Sequence, residues 1–225
     1  MSATISKNTL NFLQNLIQNN NREWFTENKK QYTDSQENMI LFIEDLIAEM
    51  GVFDEDILKT DAKKTLFRIY RDVRFSKDKS PYKTNMGASL GMGKGSQKAG
   101  YYLHVEPGKS FLASGIYMPD SAALKTIRKE ISLYSEDFLK VVSQKNFKKL
   151  FKELDQDDQL KKIPQGFEKE DPMAEYLKLK NFIVVYPLKD EDIIHNDAAK
   201  KFSEIFEAAK PLNDFLNSAI LNSTN

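Results

Sequence analysis

The sequence predicts an α+β fold, in which a mainly antiparallel sheet of about five strands is flanked by N-terminal, central and C-terminal helices. The hydrophobic spacing is helical at both ends of the chain and alternating in the middle. The elements follow one another as helices, a strand meander, helices, one strand and a helix, which is not the strict alternation of a doubly wound sheet. With 225 residues, 40% of them hydrophobic, the chain is long enough to bury a core.

We predict a single domain over residues 1–225, because the chain shows neither an internal repeat nor a long Gly/Ser-rich linker. Its predicted parts are N-terminal helices over 5–51, a sheet core over 64–118, helices over 120–180, a strand over 182–188 and a C-terminal helix over 196–220.

The composition excludes several classes of protein. The chain has 33 basic and 33 acidic side chains, so it is neither a basic nucleic-acid coat nor an acidic tail protein. Without cysteine it has no disulfide framework, thiolate nucleophile or cysteine-bound zinc. The N-terminal segment lacks the pattern of a signal peptide, and the longest apolar run is far shorter than the roughly 20 residues that cross a bilayer. We therefore expect a cytoplasmic protein with no membrane partner.

The helices are predicted from apolar residues at three-and-four spacing. The first such stripe consists of Leu10, Leu13 and Ile17, and Asn21 is a typical cap for the next helix. Residues 39–50 repeat the pattern, and Gly51 stands where a left-handed glycine commonly ends a helix. Farther along, Asp120 opens a central helix, and Pro211 is expected to kink or restart the last one.

The middle of the chain predicts the strands. Leu66 to Phe75 alternates apolar and polar residues, although Arg71 intrudes on the apolar face. Strands 101–106 and 110–117 are joined by Pro107-Gly108-Lys109, a typical hairpin connection. The remaining strands are predicted at 86–90 and at 182–188.

The charge is balanced over the whole chain but not locally. Residues 63–83, called the basic segment below, contain eight basic and two acidic side chains, a net charge of +6. Guanidinium groups suit phosphate and carboxylate, and lysine adds point charge. We predict a ligand site formed by Arg68, Arg71, Arg74, Lys79, Tyr82 and Lys83. The alternatives are a solvated strand face and an ion-pair network that holds the sheet to the N-terminal helices, formed by Arg71, Asp72, Arg74 and Asp78.

A glycine-rich stretch follows the basic segment, with five of the nine glycines at 87, 91, 93, 95 and 100. It fails the phosphate-loop pattern, because Gly93-Lys94 is followed by glycine instead of serine or threonine. It also fails the dinucleotide pattern, since Ser96 stands where a glycine is required. The stretch indicates a flexible connection between strands or a mobile lid beside the basic segment.

Tyr102, His104 and Glu106 alternate onto one face of a predicted strand. A histidine near a carboxylate and a tyrosine can transfer protons, so these three residues are the candidate catalytic groups. The same face can equally be the solvent-exposed side of a sheet that is packed against the core on its other face only. With only two histidines, at 104 and 195, a multi-histidine metal site is impossible, and we predict neither a metal nor a cofactor.

One run of the sequence indicates a family. Residues 67–83, FRIYRDVRFSKDKSPYK, resemble the signature of the family named domain of unknown function 2461, which occurs in bacteria and fungi. Supporting matches are Trp24-Phe25, Gly100–Gly108, Gly115–Pro119, Ile127-Arg128, Gly166-Phe167, Asp171-Pro172 and Tyr176-Leu177. The resemblance covers nearly the whole chain and implies a single-domain conserved hypothetical protein, with no established activity.

We therefore predict a protein that binds a small anionic ligand through the basic segment, and we leave open whether it is an enzyme. The first alternative is a non-catalytic protein whose basic segment is the structural ion-pair network. The second is a module for single-stranded nucleic acid, with bases stacked on Tyr32, Tyr70, Tyr82, Tyr101 and Tyr102. Because the rest of the chain is acidic and repels a long polyanion, the second is the weaker alternative. The sequence leaves the oligomeric state open.

Overall fold

The structure, a computed structural model, describes residues 3–91 and 98–222. Within these residues the chain forms ten α-helices, one short 3-10 helix and a four-stranded antiparallel sheet. The predicted α+β class is confirmed, with four strands in place of about five.

The helices fall into three groups along the chain. The N-terminal group consists of α1 (Lys7–Gln18), α2 (Arg22–Glu27), α3 (Lys29–Met50), a 3-10 helix (Glu55–Lys59) and α4 (Ala62–Thr65). The central group consists of α5 (Ser121–Leu133), α6 (Ser135–Val142), α7 (Lys145–Phe151) and α8 (Ala174–Leu177). The last group is α9 (Asp190–Ile193) and α10 (Ala198–Asn222). In the part of the chain that the structure describes, none of these helices combines the length and the apolar character needed to cross a membrane.

The sheet has the strand order β1-β2-β3-β4, where β1 is Met86–Leu90, β2 is Gly100–Val105, β3 is Phe111–Ile116 and β4 is Phe182–Pro187. The predicted hairpin joins β2 to β3, and Gly108 in its turn has a φ of +72°, which favours glycine. The side chains of β2 alternate, with Tyr101, Leu103 and Val105 buried on one face. Residues 92–97 of the predicted glycine-rich connection lie outside the described residues.

The described chain divides into two compact units, and the first takes in residues of 1–90, 102–112 and 187–204. In this unit α1 packs on α3, and their buried side chains include Phe12, Leu13, Met39, Phe42 and Leu46. The ring of Phe42 lies 5.7 Å from that of Phe202 in an edge-to-face arrangement. The N-terminal helices are therefore held together by an aromatic and aliphatic core that also includes Phe202 of α10.

The second unit takes in the described residues of 91–101, 113–186 and 205–225. Its core surrounds Phe138, whose ring lies 4.8 Å from that of Tyr176 and 5.4 Å from that of Phe215. Arg128 of α5 is also buried in this unit and donates a 2.8 Å hydrogen bond to the carbonyl of Leu179. The single domain over residues 1–225 stays a prediction.

The strand predicted over Leu66 to Phe75 is wrong. Only two isolated bridges form there, between Leu66 and Ala88 and between Tyr70 and Tyr82. The backbone N–H of Arg71 still donates to the carbonyl of Pro81. Beyond it, Asp72 accepts hydrogen bonds from the backbone and side chain of Arg74, so this part of the chain bonds to itself. The predicted apolar face is not buried at its far end either, where Phe75 is 96% exposed.

One prediction about a helix end is wrong, and a second is wrong in one of its two alternatives. Gly51 follows α3 with a φ of −59°, so it is not left-handed. It lies close to the exposed side chain of Leu58, because a Cβ at residue 51 would lie 2.8 Å from Cγ of Leu58. Of the kink or restart predicted at Pro211, the restart does not occur, since α10 continues through the proline, and the kink stays a prediction. Leu212 and Leu216 are buried beyond it, and this apolar face offsets the lost hydrogen bond.

Candidate functional site

The basic segment borders a cavity of about 410 Å³ in the first compact unit. Its lining combines an aliphatic side chain with two cations, amides, hydroxyls and one carboxylate, and consists of Ile17, Asn20, Arg71, Asp78, Ser80, Tyr82, Lys83, Thr84 and Asn85. Three of the six predicted ligand residues thus share one cavity. Lys79 lines a second cavity, of about 450 Å³, with Arg22 and Glu23. Arg68 and Arg74 are not part of either lining.

Two arginines of the basic segment pair with its own two acids. Arg71 pairs with Asp78 and also donates to the carbonyl of Ser80. Arg74 binds Asp72 through hydrogen bonds of 3.0 Å from Nε to Oδ1 and 2.7 Å from Nη2 to Oδ2. The hydrogen bonds from Ser80, and then from Arg71, lower the pKa of Asp78. Both pairs close within residues 71–80, so neither pair ties the sheet to the N-terminal helices.

Tyr82 is a buried wall of the cavity. Its ring stacks on that of Phe25, with the centroids 3.9 Å apart and the planes 15° apart. Its backbone N–H donates to Oδ1 of Asn20 at 3.1 Å, and its carbonyl accepts from Nδ2 of Asn20 at 3.0 Å. These contacts anchor the chain immediately before Lys83.

Lys83 is the cavity cation that has no ion pair among the described residues. Its Nζ lies 5.3 Å from the ring centroid of Phe67, a cation–π distance. Burial, and secondly the positive charge of Arg68, lower the pKa of Lys83. Both causes disfavour the ammonium form, so an anion in the cavity would stabilise it. The ammonium of Lys79, in contrast, donates to the carbonyl of Val73 at 2.9 Å.

Tyr102, His104 and Glu106 lie on one face, as their alternation predicts, and hydrogen bonds connect them. Oη of Tyr102 lies 3.1 Å from Nδ1 of His104, and Nε2 of His104 lies 3.2 Å from Oε2 of Glu106. Thr84 extends this chain, since its Oγ1 donates to Oε1 of Glu106 at 2.8 Å. An ionised Glu106 only accepts, so we assign the proton of a neutral His104 to Nε2, and Nδ1 then accepts from the tyrosine hydroxyl. We call these four residues the relay.

The relay is largely shielded from water. The side chains of His104 and Glu106 are only 13% and 17% exposed, and Phe111 stacks on the imidazole with the centroids 4.5 Å apart. Burial lowers the pKa of His104 and outweighs the opposite effect of Glu106. Burial raises the pKa of Tyr102 to about 12. At neutral pH the relay therefore contains a neutral imidazole and a protonated phenol, which can exchange protons with a neighbouring group.

The relay and the cavity share Thr84, which lines the cavity and donates to Glu106. Phe67 is a second connection, because its ring lies 6.0 Å from that of Tyr102 and also faces the ammonium of Lys83. The relay thus reaches the cavity through Thr84, whereas Tyr102, His104 and Glu106 themselves are not part of its lining.

The chain was compared with protein families, curated proteins and solved structures. The family model described as conserved hypothetical protein, DUF2461, matches residues 8–215. The chain belongs to the DUF2461 family. The resemblance inferred from residues 67–83 is therefore confirmed, and the DUF2461 match includes the basic segment and the relay. Neither the curated proteins nor the solved structures gave a match.

Three residues of this DUF2461 site were not predicted from the sequence. Thr84 and Asn20 contact partners 22 and 62 residues away, and no local pattern indicates such contacts. Phe111 does carry a signal, because alternation on β3 places it on the face opposite buried Leu112, beside His104. Among the residues described, no group of three or more histidine, aspartate or glutamate side chains is arranged to hold a metal ion.

Proposed function

We propose that this protein binds a small anionic ligand, bearing phosphate or carboxylate, in the cavity beside the basic segment. We further propose that Tyr102, His104 and Glu106 are the acid–base groups of that site. The observation that supports the proposal is that Lys83, a half-buried lysine, lines the cavity and has no ion pair in the described part of the chain. Burial and a neighbouring cation both disfavour its charge, and a bound anion compensates for both.

Other donors in the cavity complement Lys83. In the described contacts only Nη1 of Arg71 is hydrogen-bonded, to Asp78 and Ser80, so the rest of its guanidinium is available to a ligand. Asn85, whose side chain carries an amide, also lines the cavity. A cation, a guanidinium edge and an amide around one small space suit an oxyanion, which accepts several hydrogen bonds at once.

The remaining predicted ligand residues contribute in other ways to this proposal. Arg68 does not line the cavity, but its charge reaches Lys83, so it adds positive potential there. Tyr82 forms the wall that positions Lys83. Direct contact of Arg74 or Lys79 with the ligand stays a prediction.

The two alternatives are less well supported by the geometry. Single-stranded nucleic acid needs exposed rings for stacking, but Tyr82 and Tyr101 are buried, at 5% and 2% exposure. A structural network needs ion pairs that reach the N-terminal helices, but the pairs of Arg71 and Arg74 are local.

The test is thermal unfolding of the parent and of Lys83→Met with a panel of inorganic phosphate, phosphate esters, carboxylates and short oligonucleotides. A ligand at a hundred times its Kd adds about 2.7 kcal/mol to the free energy of unfolding. For a chain of this length that corresponds to a rise in Tm of roughly 5–10 °C. We expect such a rise in the parent with one class of small anion and its loss in Lys83→Met.

The matched control is Lys63→Met, at an exposed lysine of the same segment that does not line the cavity. It should keep the full rise in Tm. The proposal is wrong if no small anion stabilises the parent, or if Lys83→Met responds as the parent does. A response to oligonucleotides alone, weakening steeply with salt, would support the nucleic-acid alternative.

A further inference from the structure

The hydrogen bond between Thr84 and Glu106 restricts what Thr84 can offer to a ligand. A threonine hydroxyl has one proton and two lone pairs, and an ionised carboxylate has no proton to give. In the 2.8 Å contact the proton of Thr84 therefore points to Oε1 of Glu106. What remains for the cavity is the acceptor capacity of Oγ1.

The rest of Glu106 is also occupied. Its Oε2 lies 3.2 Å from Nε2 of His104, and its backbone N–H donates to Oγ of Ser110 at 2.9 Å. The side chain of Glu106 is only 17% exposed, so water does not readily replace Thr84 as its partner. Glu106 thus holds the hydroxyl of Thr84 in an orientation that leaves only its acceptor capacity for a ligand.

Thr84, which carries this acceptor, lines the cavity together with Lys83, the cation that has no ion pair in the described residues. Lys83 and Thr84 are consecutive residues whose Cα atoms are about 3.8 Å apart, and both line the same space of about 410 Å³. A small molecule that fills the space can place its anionic group at Lys83 and a second polar group at Thr84. That second group must be a hydrogen-bond donor, since a further acceptor would face a lone pair.

We propose that the ligand is a hydroxylated anion, such as a hydroxy acid or a phosphorylated polyol, whose hydroxyl group donates to Oγ1 of Thr84 while its anionic group binds Lys83. This inference rests on the proposed function, because it names the class of anion that the same cavity takes. It assigns Thr84 as the residue that selects hydroxylated ligands over their deoxy analogues.

The test compares two ligand pairs that differ in their hydroxyl groups, glycerol 3-phosphate against propyl phosphate and lactate against propionate, by calorimetric titration. We expect the hydroxylated member of at least one pair to bind the parent about 5-fold more tightly, the typical net effect of one hydrogen bond. Thr84→Val keeps the shape but removes the acceptor, so it should bind both members equally. Thr84→Ser keeps the acceptor and should keep the preference.

Thr33→Val is the matched control, because Thr33 is exposed on α3 and its hydroxyl donates to the carbonyl of Lys29. It should leave the preference unchanged. The inference is wrong if both propyl phosphate and propionate bind the parent as tightly as their hydroxylated partners, or if Thr84→Val keeps the preference. If Thr84→Val does not fold, the parent and Thr84→Ser decide the outcome. If neither pair binds in a way that depends on Lys83, the proposed function itself fails, which is a distinguishable result.

Discussion

Replacing Gly87 by alanine should disrupt the relay by displacing the side chain of Tyr102. A Cβ at residue 87 would lie 3.0 Å from Cζ of Tyr102 and closer still to its Oη. Carbon atoms pack at about 3.5–4.0 Å, so the ring has to withdraw by a substantial part of an ångström. Withdrawal is restricted, because the rings of Phe67 and Phe111 also pack about 6 Å from that of Tyr102.

The expected cost has two parts. Overpacking of this kind typically costs about 1–3 kcal/mol. Movement of the tyrosine also breaks its 3.1 Å hydrogen bond to Nδ1 of His104, which contributes about 1 kcal/mol. We therefore expect Gly87→Ala to lower the free energy of unfolding by about 2–4 kcal/mol. Since the clash is with the hydroxyl first, adding Tyr102→Phe should recover part of the loss, with a coupling of about 0.5–3 kcal/mol.

Urea unfolding of the four proteins in this double-mutant cycle measures both quantities. Gly108→Ala is the matched control, because Gly108 has a left-handed φ but nothing within 4 Å of its added Cβ. Its cost should be about 1–2 kcal/mol, from backbone strain alone, and should be independent of Tyr102→Phe. If Gly87→Ala is as stable as the parent, or if its cost is the same whether or not the Tyr102→Phe change is also present, the packing argument is refuted.

Two further predictions concern pH and the sheet. The folded-state pKa of His104 lies below its ordinary value of 6.5, so the unfolded chain binds the proton more readily. The free energy of unfolding should therefore fall as the pH drops below about 6.5. Urea titrations between about pH 7.5 and about pH 5 measure this dependence, and His104→Gln should remove its part of the slope of the free energy of unfolding against pH. An unchanged slope in His104→Gln contradicts the prediction. Gly115→Ala should cost more than about 3 kcal/mol, because Gly115 has a φ of +123° and an added Cβ would meet the backbone of Phe182. Gly166→Ala, with a φ of +91° and open space, should cost only about 1–2 kcal/mol, and equal costs would disprove the steric explanation.

Much of the fold is predictable from the sequence, because in most elements the local backbone preference and the tertiary packing favour the same structure. The hairpin between β2 and β3 has alternation on both sides of a turn that contains glycine, and it forms as predicted. The basic segment is the exception, since its alternation resembles that of a strand. Side-chain bonding between Asp72 and Arg74 satisfies the backbone locally, and this competition is not visible in a hydrophobic pattern.

The candidate site is predictable to a smaller extent, for a related reason. Alternation on one strand places Tyr102, His104 and Glu106 on one face, and the structure shows them hydrogen-bonded. The cavity depends on contacts across long sequence separations, such as that of Asn20 with Tyr82, 62 residues apart. Residue type alone therefore identified six ligand candidates, but only the fold shows which of them share a cavity.

The stability of Lys83→Met distinguishes a binding role of the basic segment from a structural one. A half-buried ammonium beside Arg68, with no acid paired to it in the described residues, costs the folded state free energy. Methionine has a similar length and can retain a favourable sulfur contact with the ring of Phe67, which replaces the cation–π contact.

We therefore expect the ligand-free variant to unfold within about 1 kcal/mol of the parent, or to be more stable. If Lys83 were part of a structural network, the same change would cost about 3–5 kcal/mol, because it would leave a buried partner charge unpaired. A residue that lowers the stability of the empty protein, and whose removal abolishes the stabilisation by an anion, is retained for binding and not for the fold.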